Sequence, residues 1–373
     1  MRAGPASFSA PTRIVAGVGV LERTGELLSE LGDGRVALVC DRGVAEAGVL
    51  DRIRAAGLPE SLFECAWVGA DPSFDAVEAL ASEAREAGCE IVLGVGGGSG
   101  LGAAKGVALA LGAEAPLAAL EGVDRATARP LPCLAIPTTA GSGSEVSNAL
   151  VLKRESGPAA QAIVRGRGYE PRIAILDAAV LRDLPERPML WAGLDALSHA
   201  LESLWARGRS RFTDALAAAA AESLFDRLPA AIAERRDEDL QAALEASAMA
   251  NLACGNAGLG LGHALSAASA IRLPHGYQNG VLLPHVAAYN RECLDDDTLR
   301  LVDRLPSLYA AVGFAPRFEE DELDRAEAAG MVAAAREHVF RRNNVRDADD
   351  DALWTLLEQV LPHHPATSET VDS

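Results

Sequence analysis

The sequence predicts an α/β domain with a parallel sheet, followed by an all-helical domain. Strand-like apolar runs alternate with helical stretches as far as Asp177, an order typical of a parallel sheet with helices on both faces. Beyond Asp177 the strand signals fade, and apolar residues recur at helical spacing from Pro185 onwards. The chain has 373 residues, which suits two domains, and we place them at residues 1–180 and 181–373.

In the first half, apolar and β-branched runs predict strands. They lie at residues 35–41, 62–68, 91–95, 134–138 and 173–177. Helical spacing of apolar residues fills the intervals at 43–56, 73–87 and 102–111. An earlier pair of runs, 6–10 and 12–17, predicts a hairpin at the edge of the sheet.

The second half has the apolar period of helices almost throughout. The predicted helices lie at residues 185–206, 212–233, 237–253, 264–271, 298–311 and 349–361. The segment 215–221 is rich in alanine, which favours a helix by propensity alone. Asp183 and Pro185 interrupt the pattern where the first of these helices begins, and this supports a boundary there.

Charge and cysteine usage limit the partners of this protein. Lys and Arg number 34 against 53 Asp and Glu, a net charge of −19, which repels nucleic acid and anionic membranes. The 6 cysteines form no CxxC pair and are expected to be reduced thiols. The first residues contain no apolar leader, and no apolar run approaches the roughly 20 residues of a membrane span. We expect a cytoplasmic protein with a small-molecule substrate.

A glycine-rich turn follows the predicted strand 91–95. Gly96, Gly97 and Gly98 precede Ser99 and a helix, so backbone N–H groups and the helix N-terminus can meet a pyrophosphate. The strict GxGxxG spacing fails, and the acidic residue expected at the ribose, Asp41, lies upstream of the loop. Any cofactor domain is therefore not an ordinary Rossmann fold, and a plain tight turn remains the alternative.

A second loop, at residues 137–145, follows the predicted strand 134–138. It offers the hydroxyls of Thr138, Thr139, Ser142 and Ser144, with Ser147 just beyond. Hydroxyl and N–H donors at a strand's carboxyl end suit a nicotinamide amide, a ribose or a phosphate. A Ser/Thr turn that caps the next helix is the alternative. Two such loops in one sheet favour a dinucleotide site.

Four side chains in the helical half suggest a metal site. Asp195 and His199 are four residues apart, which places them on one face of a helix, while His263 and His275 lie close together later. One carboxylate and three imidazoles suit Fe²⁺ or Zn²⁺ with a position left for substrate. A local Asp–His hydrogen bond and a buried histidine satisfied by a carbonyl are the alternatives. The other histidines lack such a context, namely His285, His338, His363 and His364.

With these motifs, the sequence resembles the iron-containing (group III) alcohol dehydrogenase family, which shares its fold with dehydroquinate synthase and glycerol dehydrogenase. The likeness is strongest at residues 96–99, 137–145, 174–177, 193–202 and 273–290. The resemblance implies an N-terminal NAD(P) domain, a helical C-terminal domain and a metal between them, bound by the same four side chains. It also implies that Asp41 lies near the adenine ribose and favours NAD(H) over NADP(H), although the adjacent Arg42 leaves the opposite preference open.

Three residues depart from the family pattern. Gly102 stands where most members have Asp, Ala267 where many have another His, and Gln161 where a Lys is usual. The spacing from His263 to His275 is also about two residues short. With Gly at position 102 the chain resembles the metal-free maleylacetate reductases, but that branch has Asn at the position of Asp195. The lost charge at Gly102 and the space at Ala267 predict an anionic or bulky substrate.

The sequence therefore predicts a metal-dependent NAD(P)H oxidoreductase that interconverts a small aldehyde or ketone and an alcohol, as a homodimer. The alternatives are a metal-free maleylacetate reductase-like enzyme and a phosphonoacetaldehyde reductase, which is similar around residues 202–205 and 263–266. A dehydroquinate synthase-like lyase, which uses NAD only transiently, and a non-catalytic oligomeric protein are further alternatives. Net turnover of the cofactor distinguishes the reductases from these two.

Overall fold

The computed structural model describes residues 7–55, 57–59, 62–65, 68–113, 115–126, 128–154, 161–267, 273–319 and 322–361. Over this part of the chain, an α/β half with a parallel sheet is followed by a helical half, which confirms the predicted fold class.

A six-stranded parallel sheet forms the centre of the first half. The strands are β1 (Arg13–Ala16), β2 (Arg35–Cys40), β3 (Phe63–Glu64), β4 (Cys89–Gly96), β5 (Gly122–Val123), β6 (Cys133–Pro137), β7 (Ala149–Lys153), β8 (Gln161–Arg165) and β9 (Ile173–Leu176). The large sheet has the order β1-β9-β6-β4-β2-β3, and a small sheet has the order β5-β8-β7. Three neighbouring strands, β6, β4 and β2, therefore end side by side.

Helices cover both faces of the large sheet. They are α1 (Thr24–Ser29), α2 (Arg42–Glu46), α3 (Val49–Ala55), α4 (Phe74–Glu86) and α5 (Gly98–Gly112). Successive residues of β2 point to opposite faces, so Leu38 joins the core with α1 and α3, whereas Val39 joins the core with α4 and α5. The buried, nearly continuous apolar run of β4 fits a strand that is covered on both faces.

The second half is helical throughout its described residues. Its helices are α6 (Glu186–Leu204), α7 (Arg211–Ala233), α8 (Asp237–Ala257), α9 (Leu261–Ala267), α10 (His275–Asn290), α11 (Asp296–Val302), α12 (Leu305–Ala311), α13 (Arg325–Ala335), α14 (Val339–Asn343) and α15 (Asp350–Glu358). A capping box of Ser210 and Thr213 begins α7. One large core, which includes Leu197, Leu224 and Leu282, joins α6, α7 and α10.

The two halves share apolar surface. Leu228 of α7 and Leu244 of α8 belong to the same buried cluster as the strand residues Leu38 and Leu134. The side chain of Gln241 on α8 donates to the Leu176 carbonyl at the end of β9 at 2.9 Å. The helical half is therefore packed directly against the sheet that carries the glycine loop.

Several predicted elements are wrong in detail. The hairpin at 6–10 and 12–17 does not form, because β1 instead pairs in parallel with β9, and residues 7–10 are not a strand. The helix at 43–56 is two helices, since Gly48 adopts a φ of 72° between them. Likewise, α11 and α12 replace the single helix at 298–311. Among the described residues of the strand predicted at 62–68, two pair as β3, and Val68 forms an isolated bridge.

Other differences concern the limits of elements. The helix predicted from Gly102 begins at Gly98, so it starts within the glycine loop itself. The β7–β8 hairpin and α10 are absent from the elements that the sequence predicts. Residues 268–271 of the predicted helix at 264–271 lie outside the described residues. Among the helices described, none is long and apolar enough to span a membrane.

Candidate cofactor and metal site

Three loops meet at the carboxyl edge of the large sheet. Asp41 follows β2, the glycine loop follows β4, and the loop 137–145 follows β6. Because β2, β4 and β6 are adjacent and parallel, their carboxyl ends lie at one edge. Ligands of open α/β sheets bind in the crevice at such an edge. The structure thus brings the predicted nucleotide residues together.

The glycine loop opens into the N-terminus of α5. Gly97 is the N-cap residue and has no side-chain capping bond, while Gly98 is exposed at the first helical position. A Cβ atom at Gly97 would lie 3.2 Å from Cγ2 of Thr139, and one at Gly98 would lie 3.1 Å from Cβ of Ser142. The two loops therefore pack against each other with little room for side chains, and the first N–H groups of α5 face the crevice region.

Asp41 fixes the glycine loop from the neighbouring strand. Its Oδ1 accepts a hydrogen bond from the Val44 N–H at 2.9 Å, and its Oδ2 accepts one from the Gly97 N–H at 3.1 Å. A Cβ at Gly96 would lie 2.5 Å from that same Oδ2. Burial raises the pKa of Asp41 above its usual value, and the two N–H donors oppose the shift. The carboxylate thus has a structural role in addition to any contact with a ligand.

The predicted hydroxyls differ in their availability. Thr138 and Ser144 are buried, whereas Thr139 and Ser142 are partly exposed. The Ser99 hydroxyl accepts a hydrogen bond from the Asp71 N–H at 3.1 Å, and that of Ser147 accepts one from the Ala149 N–H at 3.2 Å. Thr139 and Ser142 are therefore the hydroxyls best placed to donate to a bound molecule.

The loop 137–145 also contacts the helical half. Asn251 of α8 donates a hydrogen bond to the Gly141 carbonyl at 2.9 Å. A Cβ at Gly141 would lie 2.7 Å from Cα of Ala192 on α6. Ala192 precedes Asp195 by slightly less than one helical turn. The nucleotide loops are thereby connected to the helix that carries two of the predicted metal ligands.

The predicted metal ligands come from three helices. Asp195 and His199 project from α6, His263 from α9, and His275 is the first residue of α10. One ligand atom from each of Asp195, His263 and His275 lies within 4.8 Å of the other two. The His199 ring stacks on His263, with 4.6 Å between ring centroids. His275 is 44% exposed, whereas the other three side chains are buried.

An amide stands among these atoms. The Asn279 Nδ2 lies 2.8 Å from Asp195 Oδ1, 2.9 Å from His263 Nε2 and 3.0 Å from His275 Nε2. An NH₂ group has two hydrogens, so it cannot donate to three acceptors at once. The Ser266 hydroxyl donates to Asn279 Oδ1 at 2.6 Å and fixes the orientation of the amide. Such a convergence of lone pairs fits a divalent cation.

The protonation states of His199 and Asp195 suit a metal as well. Burial lowers the pKa of His199 to about 4, so its imidazole is neutral, as a ligand must be. The buried Nδ1 of His199 has no hydrogen-bond partner among the described residues. Burial alone would raise the pKa of Asp195, but His199, His275 and His263 lower it overall, so this residue is a carboxylate.

The family follows from comparison with known proteins. Residues 11–178 match the iron-containing alcohol dehydrogenase family, and residues 189–299 match the C-terminal domain of the same family. The chain is 32% identical to the probable alcohol dehydrogenase EutG of Escherichia coli (strain K12) over 95% of its length and 93% of that protein. The chain belongs to the iron-containing alcohol dehydrogenase family. It is an oxidoreductase, and the resemblance inferred from the motifs is confirmed.

Two solved structures of similar proteins extend this result. A 1,3-propanediol oxidoreductase superposes with a TM-score of 0.89 and 25% identity, over 96% of this chain and 100% of that chain. The sulfoacetaldehyde reductase of Bifidobacterium kashiwanohense, in complex with NAD⁺, superposes with a TM-score of 0.84 and 25% identity, over 96% and 99%. Members of the family with this fold thus act on alcohols and on aldehydes.

The sequence reasoning did not single out two polar residues next to the ligand cluster. Glu202 is buried at 3.3 Å from Nδ1 of His263, and Asn279 contacts three predicted ligands. Their spacing contained a signal, because Glu202 is three residues after His199 and Asn279 is four after His275. Each pair lies on one face of its helix.

Proposed function

We propose that this protein is a metal-dependent, NAD(H)-linked enzyme that interconverts a small aldehyde or ketone and the corresponding alcohol. The observation that carries the proposal is the convergence of His263 and His275 on Asp195 of α6, a helix that is packed against the loop 137–145. A metal and a nicotinamide would then share one crevice. Oxidoreductase activity is a property of the whole family. The bound metal and the preference for NAD(H) are what we propose for this chain in particular.

The proposed metal ligands are Asp195, His199, His263 and His275. One carboxylate and three imidazoles suit Fe²⁺ or Zn²⁺. When bound, such an ion supplies a Lewis acid for a substrate oxygen. The partial exposure of His275 provides an open side to the cluster, through which a substrate can approach. The buried side chains on α6 and α9 hold the other donors away from water.

Metal analysis of two histidine variants tests this assignment. We expect about one Fe²⁺ or Zn²⁺ per purified chain, and His263→Ala should lose it because one of four donors is removed. His285→Ala is the matched control, since the His285 ring binds Gln359 and the Pro316 carbonyl away from the cluster. That control should retain both the metal and the aldehyde-reducing activity.

Activity after removal of metal by a chelator distinguishes a metal-dependent enzyme from a metal-free one. If the wild-type enzyme is metal-free after exhaustive chelation and still fully active, it belongs with the metal-free maleylacetate reductase-like enzymes. Asp195 argues against that alternative, because the buried carboxylate lies within 4.0 Å of two imidazoles and needs a cationic partner. A lyase or an inactive protein would produce no net oxidation of NADH in the same assay.

For the cofactor, the proposal is a preference for NAD(H) over NADP(H). The cradle consists of the N-terminus of α5, with Gly96, Gly97, Gly98 and Ser99, together with the hydroxyls of the loop 137–145 and Ser147 beyond it. Asp41 lies at the end of β2 beside this cradle, and its negative charge would repel a 2′-phosphate. The solved sulfoacetaldehyde reductase complex, a similar protein, contains NAD⁺.

For the substrate, the proposal is an anionic or bulky carbonyl compound. Gly102 lacks the carboxylate usual in the family, and the structure places it in the second turn of α5, where an added Cβ meets only the Val151 carbonyl at 4.0 Å. A like charge within about 4 Å of an anionic substrate costs on the order of 4 kcal/mol at an effective dielectric of 20. One similar protein reduces sulfoacetaldehyde, which is an anionic aldehyde.

The variant Gly102→Asp tests the substrate proposal, since an added Cβ at this buried position has no contact shorter than 4.0 Å. We compare kcat/KM for sulfoacetaldehyde and for propanal, which is neutral and of similar size. The variant should lose at least tenfold on the anionic aldehyde and little on the neutral one, because the new charge acts on that partner alone. Equal losses for both would restrict the role of Gly102 to the packing of α5 on β7.

The architecture adds two further proposals. We propose that the domain boundary lies near residue 180, between the end of β9 and the start of α6 at Glu186. We also propose a homodimer in solution. Light scattering coupled to size exclusion should give twice the mass of the chain, and a monomer mass at micromolar concentration would exclude the dimer.

A further inference from the structure

We propose that Glu202 is a positioning residue of the metal site, whose carboxylate sets the tautomer of His263. The inference rests on the proposed metal site. Glu202 lies three residues after His199 on α6, and it contacts the ligand of a different helix, α9. It touches neither a substrate nor a metal position directly; it acts through the imidazole.

The two nitrogens of the His263 ring face different partners. Nδ1 lies 3.3 Å from Glu202 Oε2, and Nε2 lies 3.8 Å from Asp195 Oδ1 in the ligand cluster. At 3.3 Å the Glu202 contact has the length of an ion pair without the alignment of a hydrogen bond. Both side chains are almost completely buried, at 3% and 1% exposure. Water therefore does not compete for the contact.

The glycines before His263 allow this close approach. The Gly260 N–H donates to Glu202 Oε2 at 2.6 Å, and a Cβ at Gly262 would overlap Glu202 Oε1. The backbone at Gly260 and Gly262 thus folds onto the carboxylate, leaving no room for a side chain at Gly262. The carboxylate holds both the entry to α9 and the imidazole that α9 carries.

Electrostatics then selects the tautomer. Among the described residues, His263 is the ionisable side chain that lies within ion-pair distance of Glu202, so the charge of the buried carboxylate acts on the facing Nδ1. A proton on Nδ1 is attracted by this charge and leaves the lone pair on Nε2, towards Asp195 and His275. With the proton on Nε2, the Nδ1 lone pair would face the carboxylate and be repelled. Glu202 therefore prepares Nε2 as the ligand atom.

Metal affinity measures this role without recourse to enzymatic activity. Chelator-stripped protein is titrated with Zn²⁺ against a competing chromophoric chelator, for the wild type and for Glu202→Gln. We expect the variant to bind Zn²⁺ about 10–100-fold more weakly, because the amide can turn its NH₂ towards Nδ1 and stabilise the wrong tautomer. The matched control is Asp239→Asn, which alters a buried carboxylate at the start of α8 that is paired with Arg227 and Arg236. Its affinity should equal that of the wild type.

A second measurement separates positioning from mere support of the fold. Selective ¹⁵N labelling of histidine in the metal-free wild type should show His263, assigned with His263→Ala, protonated at Nδ1. In Glu202→Gln the Nε2-protonated form should gain population. A purely structural Glu202 would lower the Tm of the metal-free protein and leave the tautomer and the Zn²⁺ affinity unchanged, and that result would overturn the proposal.

The outcomes also separate this inference from the proposed function. If wild-type protein does not bind Zn²⁺ or Fe²⁺, the metal site itself fails. If the wild type binds and Glu202→Gln binds equally well, only the role of Glu202 fails. Should Glu202→Gln not fold, Glu202→Asp keeps the charge but withdraws it by one methylene. We then expect a loss of several-fold in affinity, and unchanged affinity would again contradict the proposal.

Discussion

The α/β half and the helical half build their parts of the site by different means. At the sheet edge the groups available to a ligand are mainly a backbone N–H group and small hydroxyls, at Gly98, Thr139 and Ser142. In the helical half the groups are large side chains from α6, α9 and α10, buried except for His275. The first part depends on how closely two loops approach, whereas the second depends on which atoms the helices project.

This difference predicts different sensitivities to substitution. Adding a single methyl group should damage the sheet edge, because the loops already lie within 3.1–3.3 Å of where a Cβ would stand at Gly97 and Gly98. In the helical half, removing or shortening a side chain should be the damaging change, because each metal-ligand atom comes from one side chain that no other residue replaces. The joint between the two halves, where Asn251 meets the loop 137–145, combines both requirements.

The largest effect is expected at that joint. Gly143 has a φ of 58°, and a Cβ there would overlap the side chain of Asn251. Gly143→Ala therefore adds left-handed strain of about 1 kcal/mol and overpacking of about 1–3 kcal/mol. We expect the Tm to fall by about 3–5 °C, as measured by differential scanning calorimetry, with weaker NAD(H) binding.

The control for that variant lies on the same helix as Asn251. At Gly255 of α8 an added Cβ meets no atom within 4 Å, so Gly255→Ala should be neutral or raise the Tm slightly through helix propensity. If Gly143→Ala were as stable as Gly255→Ala, the loop 137–145 would not be held by the helical half. The contact between Asn251 and the loop 137–145 would then not couple the two halves.

The sequence predicted the sheet edge better than the helical cluster, for a physical reason. A strand that ends in glycines or in a run of hydroxyls is a local signal, and parallel strands bring such ends together. The pairing of β1 with β9 joins residues about 160 positions apart, and nothing local distinguishes it from a hairpin. The wrong prediction of a hairpin from residues 6–10 and 12–17 came from that lack of local information.

In the helical half, the motif spacing predicted the ligands but not their supports. Asp195 and His199 share a helix face by their spacing alone. Whether Glu202 faces a histidine of another helix depends on the packing of α9 against α6, and Gly260 and Gly262 permit that packing. Asn279 is similar, because its three contacts exist only once α10 has docked. Side-chain sites made from several helices need tertiary structure to be predicted in full.

A second prediction concerns the buried carboxyl of Glu145, the last residue of the loop 137–145. Burial raises the pKa of Glu145 from its usual 4.5 to about 7, and the nearby Lys105 opposes the shift only partly. Between pH 4.5 and 7 the folded chain therefore holds a proton that the unfolded chain releases. The stability from this group is fully present below pH 4.5 and is lost as the pH rises to 7, by at most about 3 kcal/mol.

Glu145→Gln removes this dependence, because the amide does not titrate. We expect the Tm of the variant, relative to that of the wild type, to rise steadily between pH 4.5 and 7 in thermal scans. Glu222→Gln is the control at an exposed carboxylate, and its Tm difference should change much less over the same window. A Glu145→Gln curve parallel to that of the wild type would show that the loop is not held by a neutral carboxyl.

The smallest effect is expected at Asp41, which is an exception to the difference between the two halves because it is a charged side chain at the sheet edge. It is the one side-chain charge proposed for the nucleotide part of the site, yet it also holds the Val44 and Gly97 N–H groups. Asp41→Ser keeps a helix cap but loses the Gly97 contact and the negative charge. We expect the ratio of kcat/KM for NADH over NADPH to fall about tenfold, or ~1.4 kcal/mol. Arg42→Ala is the control, since it alters the adjacent charge and leaves both hydrogen bonds. If Arg42→Ala instead abolishes a measured NADPH preference, Arg42 decides the specificity and Asp41 serves only to fix the backbone, as the rest of the sheet edge would suggest.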